Sequence, residues 1–304
     1  MWSDAEPILE WCVTENLEFS DPFFDETITR CLRLPFNQLF RRRTSLAAAD
    51  PRLLCLPPAG FIFHVSRCGS SLLAQACADT EAVLKLAEPA ALDSVSRADL
   101  RQPVRRELQL DWVRATYAAL AQPRPAQRSA IVKFDAWTVH RLDLILDAFP
   151  DVPWAFVCRD PVEVVVSHLR RRGAHTVPGT LPWHLLRVDA GWAATVPAED
   201  YIALVTGRLM EAAVARADEQ RALVIDYSQL HDGGVDAVLQ HFGLTHSVRP
   251  STLTSDAKNP TQRFEPDADL KRAAAGPDVI GATERHAAAA YANLLALTNR
   301  VTKC

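Results

Sequence analysis

The sequence predicts an α/β protein of three layers, α/β/α, with a central parallel sheet, a P-loop-like anion-binding loop and an N-terminal helical cover. Three observations predict it. From Ala59 onward short apolar runs alternate with helical patterns, the signature of crossover units on a parallel sheet. The first run, Gly60-Phe61-Ile62-Phe63-His64-Val65, passes into Ser66-Arg67-Cys68-Gly69-Ser70-Ser71-Leu72, a short polar loop that opens a helix. A later run, Trp154 to Cys158, passes into Arg159-Asp160-Pro161-Val162-Glu163, with an N-cap acid, a proline at the first helical position and a glutamate at the third.

Taken in order, residues 1–57 mix helical spacing with turn signals such as Ser20-Asp21-Pro22, then reach Arg41-Arg42-Arg43 and Pro57-Pro58. They read as a helical cover packed on a main domain of residues 58–304. Strands are expected at Phe61–Val65, Val83–Leu86, Ala130–Phe134, Trp154–Cys158 and Ala222–Ile225. A helix is expected after Asp160. Another is expected from Thr195-Val196-Pro197-Ala198-Glu199 to about Ala217, with Thr195 as its cap and Tyr201, Leu204, Val205, Arg208 and Leu209 on one face. Between these helices, Arg170 to Pro182 is rich in Arg, Gly, Pro and His and reads as a long loop over the sheet edge.

Composition narrows the function. The chain has 304 residues, enough for a large core, and its 33 basic and 37 acidic residues nearly balance. No global field draws it to nucleic acid or an anionic membrane, so an anion site must be local. The seven cysteines are scattered, form no close metal-type pair and suit reduced thiols. Met1 to Glu10 lacks the basic start and apolar middle of a signal peptide, and no apolar run is long enough to span a bilayer. The expectation is a cytoplasmic protein without a metal.

The loop after the first strand has the chemistry of an oxyanion site. Gly69 tolerates unusual backbone angles, the next N–H groups leave a helix N-terminus, Arg67 brings a fork of donors, and Ser70 and Ser71 bring hydroxyls. It is not a Walker A loop, since His64 stands where the first Gly belongs and Ser70 where the Lys belongs. Arg159 leaves the fourth strand, and Ser167 lies two turns into the following helix, so both can meet one phosphate. In parallel sheets ligands bind outside the carboxyl ends of the strands, so the two motifs open on one crevice.

A strand followed by Arg67-Cys68-Gly69-Ser70-Ser71, paired downstream with Arg159-Asp160-Pro161 and Ser167, resembles the sulfotransferases that use 3′-phosphoadenosine 5′-phosphosulfate (PAPS). The resemblance covers roughly Ala59 to Phe264. It implies that Arg67, Cys68, Gly69, Ser70, Ser71 and Leu72 hold the 5′ end of PAPS, and that Arg159 and Ser167 hold the 3′-phosphate. Cys68 departs from the pattern, since many relatives carry Ser there; its thiol could be activated by Arg67 and the helix N-terminus. The resemblance places a basic C-terminal loop at Ser255 to Phe264, with Lys258 or Arg263 reaching the 3′-phosphate. It makes Glu88 a catalytic base, with Asp135 the rival or else a helix cap, and aims Lys133 at the transferring group unless it forms a salt bridge.

The activity implied is transfer of a sulfuryl group from PAPS to a hydroxyl or amine on a small-molecule or peptide acceptor. An atypical P-loop kinase and a non-catalytic nucleotide-binding protein are the alternatives. His64, at a strand end, reads as a structural hydrogen-bonder. Trp112, Trp137, Trp154, Trp183 and Trp192 read as mostly core, with Trp183 nearest an acceptor.

Overall fold

The computed structural model describes residues 2–3, 6–14, 17, 19, 21–48, 54–217, 220–256, 259–263 and 267–298. At the N-terminus β1 (Trp2–Ser3), β2 (Glu6–Trp11) and β3 (Arg42–Ser45) form an antiparallel three-stranded sheet. Two short helices, Phe24–Leu32 and Pro35–Leu39, lie between β2 and β3. The cover expected to be helical thus combines two helices with a three-stranded sheet. Arg41 and Arg43 are not a loose basic run, because each pairs with Glu10 on the neighbouring strand at 3.1 Å and 2.9 Å.

The central sheet is made of β4 (Pro58–His64), β5 (Val83–Ala87), β6 (Ser129–Lys133), β7 (Trp154–Cys158) and β8 (Ala222–Asp226). Its order is β5-β6-β4-β7-β8 and every pairing is parallel. Every residue of β5 and β7 is buried, as it must be where helices cover both faces, which is why β7 reads as a continuous apolar run, and β5 as one interrupted only by Lys85, rather than as alternating strands. From β4 the chain builds outward to β5 and back to β6 on one side, then crosses to β7 and β8 on the other. The direction reverses beside β4, and the carboxyl ends of β6, β4 and β7 therefore border the crevice where such sheets take ligands. Further on, β9 (Ser255–Asp256) and β10 (Asn259–Arg263) form a small antiparallel pair.

Aromatic packing fixes the level at which β4 and β6 end. The Phe63 ring stacks on Phe134 at 4.9 Å, and Phe61 meets Phe134 and Phe149 edge-on at 5.4 Å and 5.3 Å. Helix Pro161–Arg170 starts as its sequence foretells, with the Asp160 carboxylate accepting from the Val162 N–H at 2.9 Å. The next long helix, Ala198–Val214, is capped at Pro197 and not at Thr195, which instead ends a short preceding helix, Ala190–Thr195. The reason is local: Asp189 caps that short helix through the Trp192 N–H, and the chain must leave it before Pro197 can begin another.

Helix Ala198–Val214 packs on the helices Pro161–Arg170, Pro277–His286 and Ala288–Thr298. Gly207 permits the closest approach, since a Cβ there would fall 1.9 Å from the carbonyl oxygen of His286. Gly207→Ala is expected to destabilise the protein by about 1–3 kcal/mol, the cost of overpacking against backbone that cannot give. Urea unfolding measures it, and an unchanged midpoint would contradict the packing.

Candidate active site

The crevice is built around a strained turn. Ser66 and Arg67 have φ of 69° and 55° and Gly69 has 80°, so three of the four residues before the helix Ser70–Cys77 are left-handed. A left-handed conformation costs a non-glycine residue about 1–2 kcal/mol. Strain of this kind persists only where surrounding structure dictates it, and it gathers at functional sites. Successive N–H groups in such a turn, followed by the free N–H groups of a helix start, form a concave anion cradle. Gly69 is required twice over: its φ suits glycine, and a Cβ would come within 2.5 Å of Leu230 and 3.1 Å of Tyr227.

His64 holds the turn. Its Nδ1 accepts from the Ser66 N–H at 2.9 Å, so Nε2 carries the proton and donates to the Phe134 carbonyl at 3.0 Å. Burial, and next the charge of Lys133, push its pKa down to about 4, so the ring stays neutral. The structural role expected for His64 is the one found.

Arg67 reaches outward from the turn. Its guanidinium donates to the Arg171 carbonyl at 2.8 Å, and among the described residues no carboxylate pairs with it. Among the described residues it is thus a cation beside the cradle with no carboxylate partner. Cys68, by contrast, is fully buried, and burial raises its pKa despite the hydrogen bond from Ser70. The expectation of an activated thiol is corrected, because desolvation of a thiolate outweighs the cations nearby.

Across the crevice, at the end of β6, Lys133 is 1% exposed and forms an ion pair with Glu88, which follows β5. Glu88 is itself left-handed at φ 57°, and its N–H donates to the Lys133 carbonyl at 2.6 Å. Burial would raise the Glu88 carboxyl, but Lys133 and His64 more than offset it and hold it at about 2. Both readings of Lys133 thus meet in one place, since the salt bridge sits at the crevice.

Asp135 lies two residues beyond Lys133. It occupies the N-cap position of the 3₁₀ turn Ala136–Arg141, yet its side chain makes no capping bond. Burial, and then the charges of Glu88 and Asp93, raise its pKa to about 8. The two rival carboxylates have been driven apart, one locked ionised and one titrating near neutrality.

Arg159 is placed differently from expectation. It is 4% exposed, and its guanidinium already donates to Glu163 at 2.6 Å, to Asp267 at 2.8 Å and to the Arg67 carbonyl at 3.2 Å, while lying 3.8 Å from the Tyr227 ring centre. It therefore supports the cradle from behind. Ser167 lies one turn beyond Glu163 on the same face of helix Pro161–Arg170 and is half-buried, while Arg159 precedes that helix. Lys258 lies outside the described residues, and of Arg263 only the backbone, at the end of β10, is described.

Three residues at the site were not singled out in the sequence. Tyr227, just past β8, touches both Arg159 and the wall of Gly69. His175, from the long loop, is 4% exposed, meets Trp137 at 5.7 Å, and lies close enough to Glu88 and Arg67 to feel both charges. Asp93 accepts from Trp137 at 2.7 Å and pairs with Arg97. The only available signal was that the long loop is rich in histidine. Trp137, half-buried, is the tryptophan held beside these groups, whereas Trp154 and Trp112 are core.

The fold and this turn define an α/β protein with a strand–loop–helix cradle at the carboxyl end of its central strand. No family model matches the chain, and no curated protein matches it. Among solved structures it is similar to the sulfotransferase domain from the curacin biosynthetic pathway, with 14% identity over 72% of this chain and 87% of that one and a TM-score of 0.44. It is also similar to a sulfotransferase from Alicyclobacillus acidocaldarius, with 13% identity over 80% of this chain and 96% of that one and a TM-score of 0.41. Among the described residues no helix is long and apolar enough to cross a membrane.

The raised Asp135 pKa has a consequence for stability. A carboxyl whose folded pKa lies above its unfolded one contributes stability below the unfolded value and loses it as pH rises through the folded value. Asp135→Asn removes that loss. Relative to wild type, the variant is expected to gain stability as pH rises from 3.8 to about 8. Thermal melts across that range test it, and a difference independent of pH would show that Asp135 titrates normally.

Proposed function

We propose that this chain is a sulfotransferase that moves the sulfuryl group of PAPS to a hydroxyl or amine acceptor. The observation that carries the reading is the Ser66-Arg67-Cys68-Gly69 turn, left-handed at three of its residues, with a guanidinium beside it that has no carboxylate partner among the described residues and a lysine–carboxylate cluster facing it. The 5′ side of PAPS fits this cradle. The 3′ side fits at Ser167, and at Arg159 only if the donor's phosphate takes the place of Asp267.

PAPS supplies an activated sulfuryl group on a good leaving phosphate. The protein's part is positioning, charge neutralisation and acceptance of one proton. The turn amides, Arg67, Ser70 and Ser71 hold the anion. Lys133, held in place by its ion pair with Glu88, is the cation that would stabilise the bridge oxygen. The proton goes to Asp135: a base works best with a pKa near the working pH, and Glu88 at about 2 is too weakly basic. The acceptor is to approach Asp135 from the side of Trp137 and His175.

Calorimetry with adenosine 3′,5′-bisphosphate, ADP, and ATP with Mg²⁺ tests the donor class. The bisphosphate is expected to bind in preference, and Arg67→Ala to weaken it about 10- to 100-fold, the worth of a charge-assisted hydrogen bond. Preference for ATP with Mg²⁺ would favour the kinase reading, and no binding of any of them the non-catalytic one.

With PAPS and an acceptor found by screening, Asp135→Asn is expected to lower kcat by about 10²- to 10⁴-fold with bisphosphate affinity retained. The wild-type rate should rise with pH up to about 8, since Asp135 accepts a proton only when ionised. If Glu88→Gln removes that pH dependence and Asp135→Asn leaves it intact, the assignment of the base is reversed.

A further inference from the structure

The cysteines scattered along the sequence are not all apart in space. Cys12 follows β2 and Cys31 lies in the last turn of helix Phe24–Leu32, and the two thiols lie close enough for each to perturb the other. Both are free thiols. A single buried side chain brings their segments together. The Asn37 amide is 1% exposed; its Oδ1 accepts from the Val13 N–H at 2.8 Å, and its Nδ2 donates to the carbonyls of Val13 and Cys31, each at 2.7 Å. One amide thus clamps the residue after Cys12 to Cys31 itself, at a cost in side-chain freedom and desolvation that only a fixed geometry repays.

From this clamp we infer that Cys12 and Cys31 form an oxidation site, a dithiol that closes to an intramolecular disulfide when a small disulfide oxidant is present. The two sulfurs differ in access. Cys12 is half-buried and open to a reagent, whereas Cys31 is 0% exposed. Cys12 is therefore the entry point. Its thiolate attacks the small disulfide, forms a mixed disulfide and releases one small thiolate; Cys31 then attacks the Cys12 sulfur and expels the second. The two protein thiols are oxidised, the small disulfide is reduced to two thiols, and the two protons pass to the departing thiolates. Burial raises the Cys31 thiol, and Cys12 and then the charges of Arg124 and Arg30 offset part of that rise, so the resolving step also quickens as pH rises. Burial and the neighbouring sulfur hold Cys12 at about 11, so the first step is slow near neutrality and accelerates as pH rises.

The bond has structural reach because of what lies between the two cysteines. Phe23 sits 5.5 Å from the Lys133 ammonium, and Asp25 is near enough to Glu88 for the charges to interact. Arg124, from the main domain, anchors the same stretch through the Leu17 carbonyl at 3.1 Å and the Phe19 ring at 3.9 Å. Closing Cys12 to Cys31 therefore ties down the segment that roofs the Lys133–Glu88 pair. The site itself is independent of the sulfotransferase reading.

The test treats the whole chain with cystamine, followed by alkylation, trypsin and mass spectrometry. Cleavage after Arg30 and Arg33 places the two cysteines in separate peptides, residues 1–30 and 31–33. The expected product is these two peptides joined by a disulfide, at a rate that rises with pH. Cys31→Ser should leave Cys12 carrying a cysteamine adduct, and Cys12→Ser should leave Cys31 unmodified. Asn37→Ser keeps both thiols and should slow ring closure several-fold, with circular dichroism confirming that each variant folds. A wild-type Cys12 that stays unreacted, keeps its cysteamine adduct or pairs with another cysteine would overturn the inference.

Discussion

A guanidinium almost wholly removed from water sets the geometry of this molecule's working end. Arg159 leaves β7 into the interior, and a buried cation is tolerated only where its donors are met in place. The Glu163 carboxylate one helical turn on, Asp267 from the C-terminal region, the Tyr227 ring and the Arg67 carbonyl meet them. Each partner draws an element with it. Glu163 fixes the start of helix Pro161–Arg170, Asp267 brings helix Ala268–Ala273 against it, and Arg272 of that helix returns to Glu163 and Asp160 at 2.9 Å and 3.1 Å. The Arg67 carbonyl that accepts from Arg159 belongs to a left-handed residue of the turn. Strain in the cradle and burial of the charge are therefore one constraint seen from two sides.

That constraint explains which features were legible in the sequence. The five central strands were readable because a sheet covered on both faces must be apolar without alternation, and Asp160-Pro161 was readable because capping is local chemistry. The Arg67 loop and its glycine were readable for the same reason. What was not readable depended on pairing across distance. Arg159 looked like an open phosphate ligand, and nothing in its neighbourhood of sequence announced that Asp267 would share it. Glu88 and Lys133 were each singled out alone. Their ion pair, which decides the chemistry of both, follows from the adjacency of β5 and β6. The N-terminal cover was read as helical because short edge strands such as Arg42–Ser45 have no period long enough to distinguish them from a basic loop.

The electrostatics of the crevice show a division between two carboxylates that composition could not give. Glu88 has a cation and a histidine against it, and Asp135 has neither close enough to compensate its burial. The same desolvation therefore ends in opposite results. Groups so separated can serve as a fixed counter-ion and a proton acceptor within one small volume. Lys133 links them, since its charge lowers both. An anion arriving on the cradle competes with Glu88 for that ammonium, and any weakening of the ion pair raises Glu88 and relieves the ammonium's hold on its own partner.

Asp267 stands in the same relation to Arg159 as Glu88 does to Lys133. Its pKa lies below the usual carboxylate range because Lys271 and Arg159 outweigh its partial burial, so it is an anion already seated on a buried cation of the crevice. A phosphate can take that place only by exchanging with it, and the energy gained is the difference between two anions on one guanidinium, not the full worth of a new pair. A dianionic phosphate, with more acceptor oxygens than a carboxylate, has the advantage only if Lys271 and Ser167 also turn to it. Any anion at that end of the crevice would therefore have to contend with how firmly Asp267 and Lys271 hold helix Ala268–Ala273 against helix Pro161–Arg170.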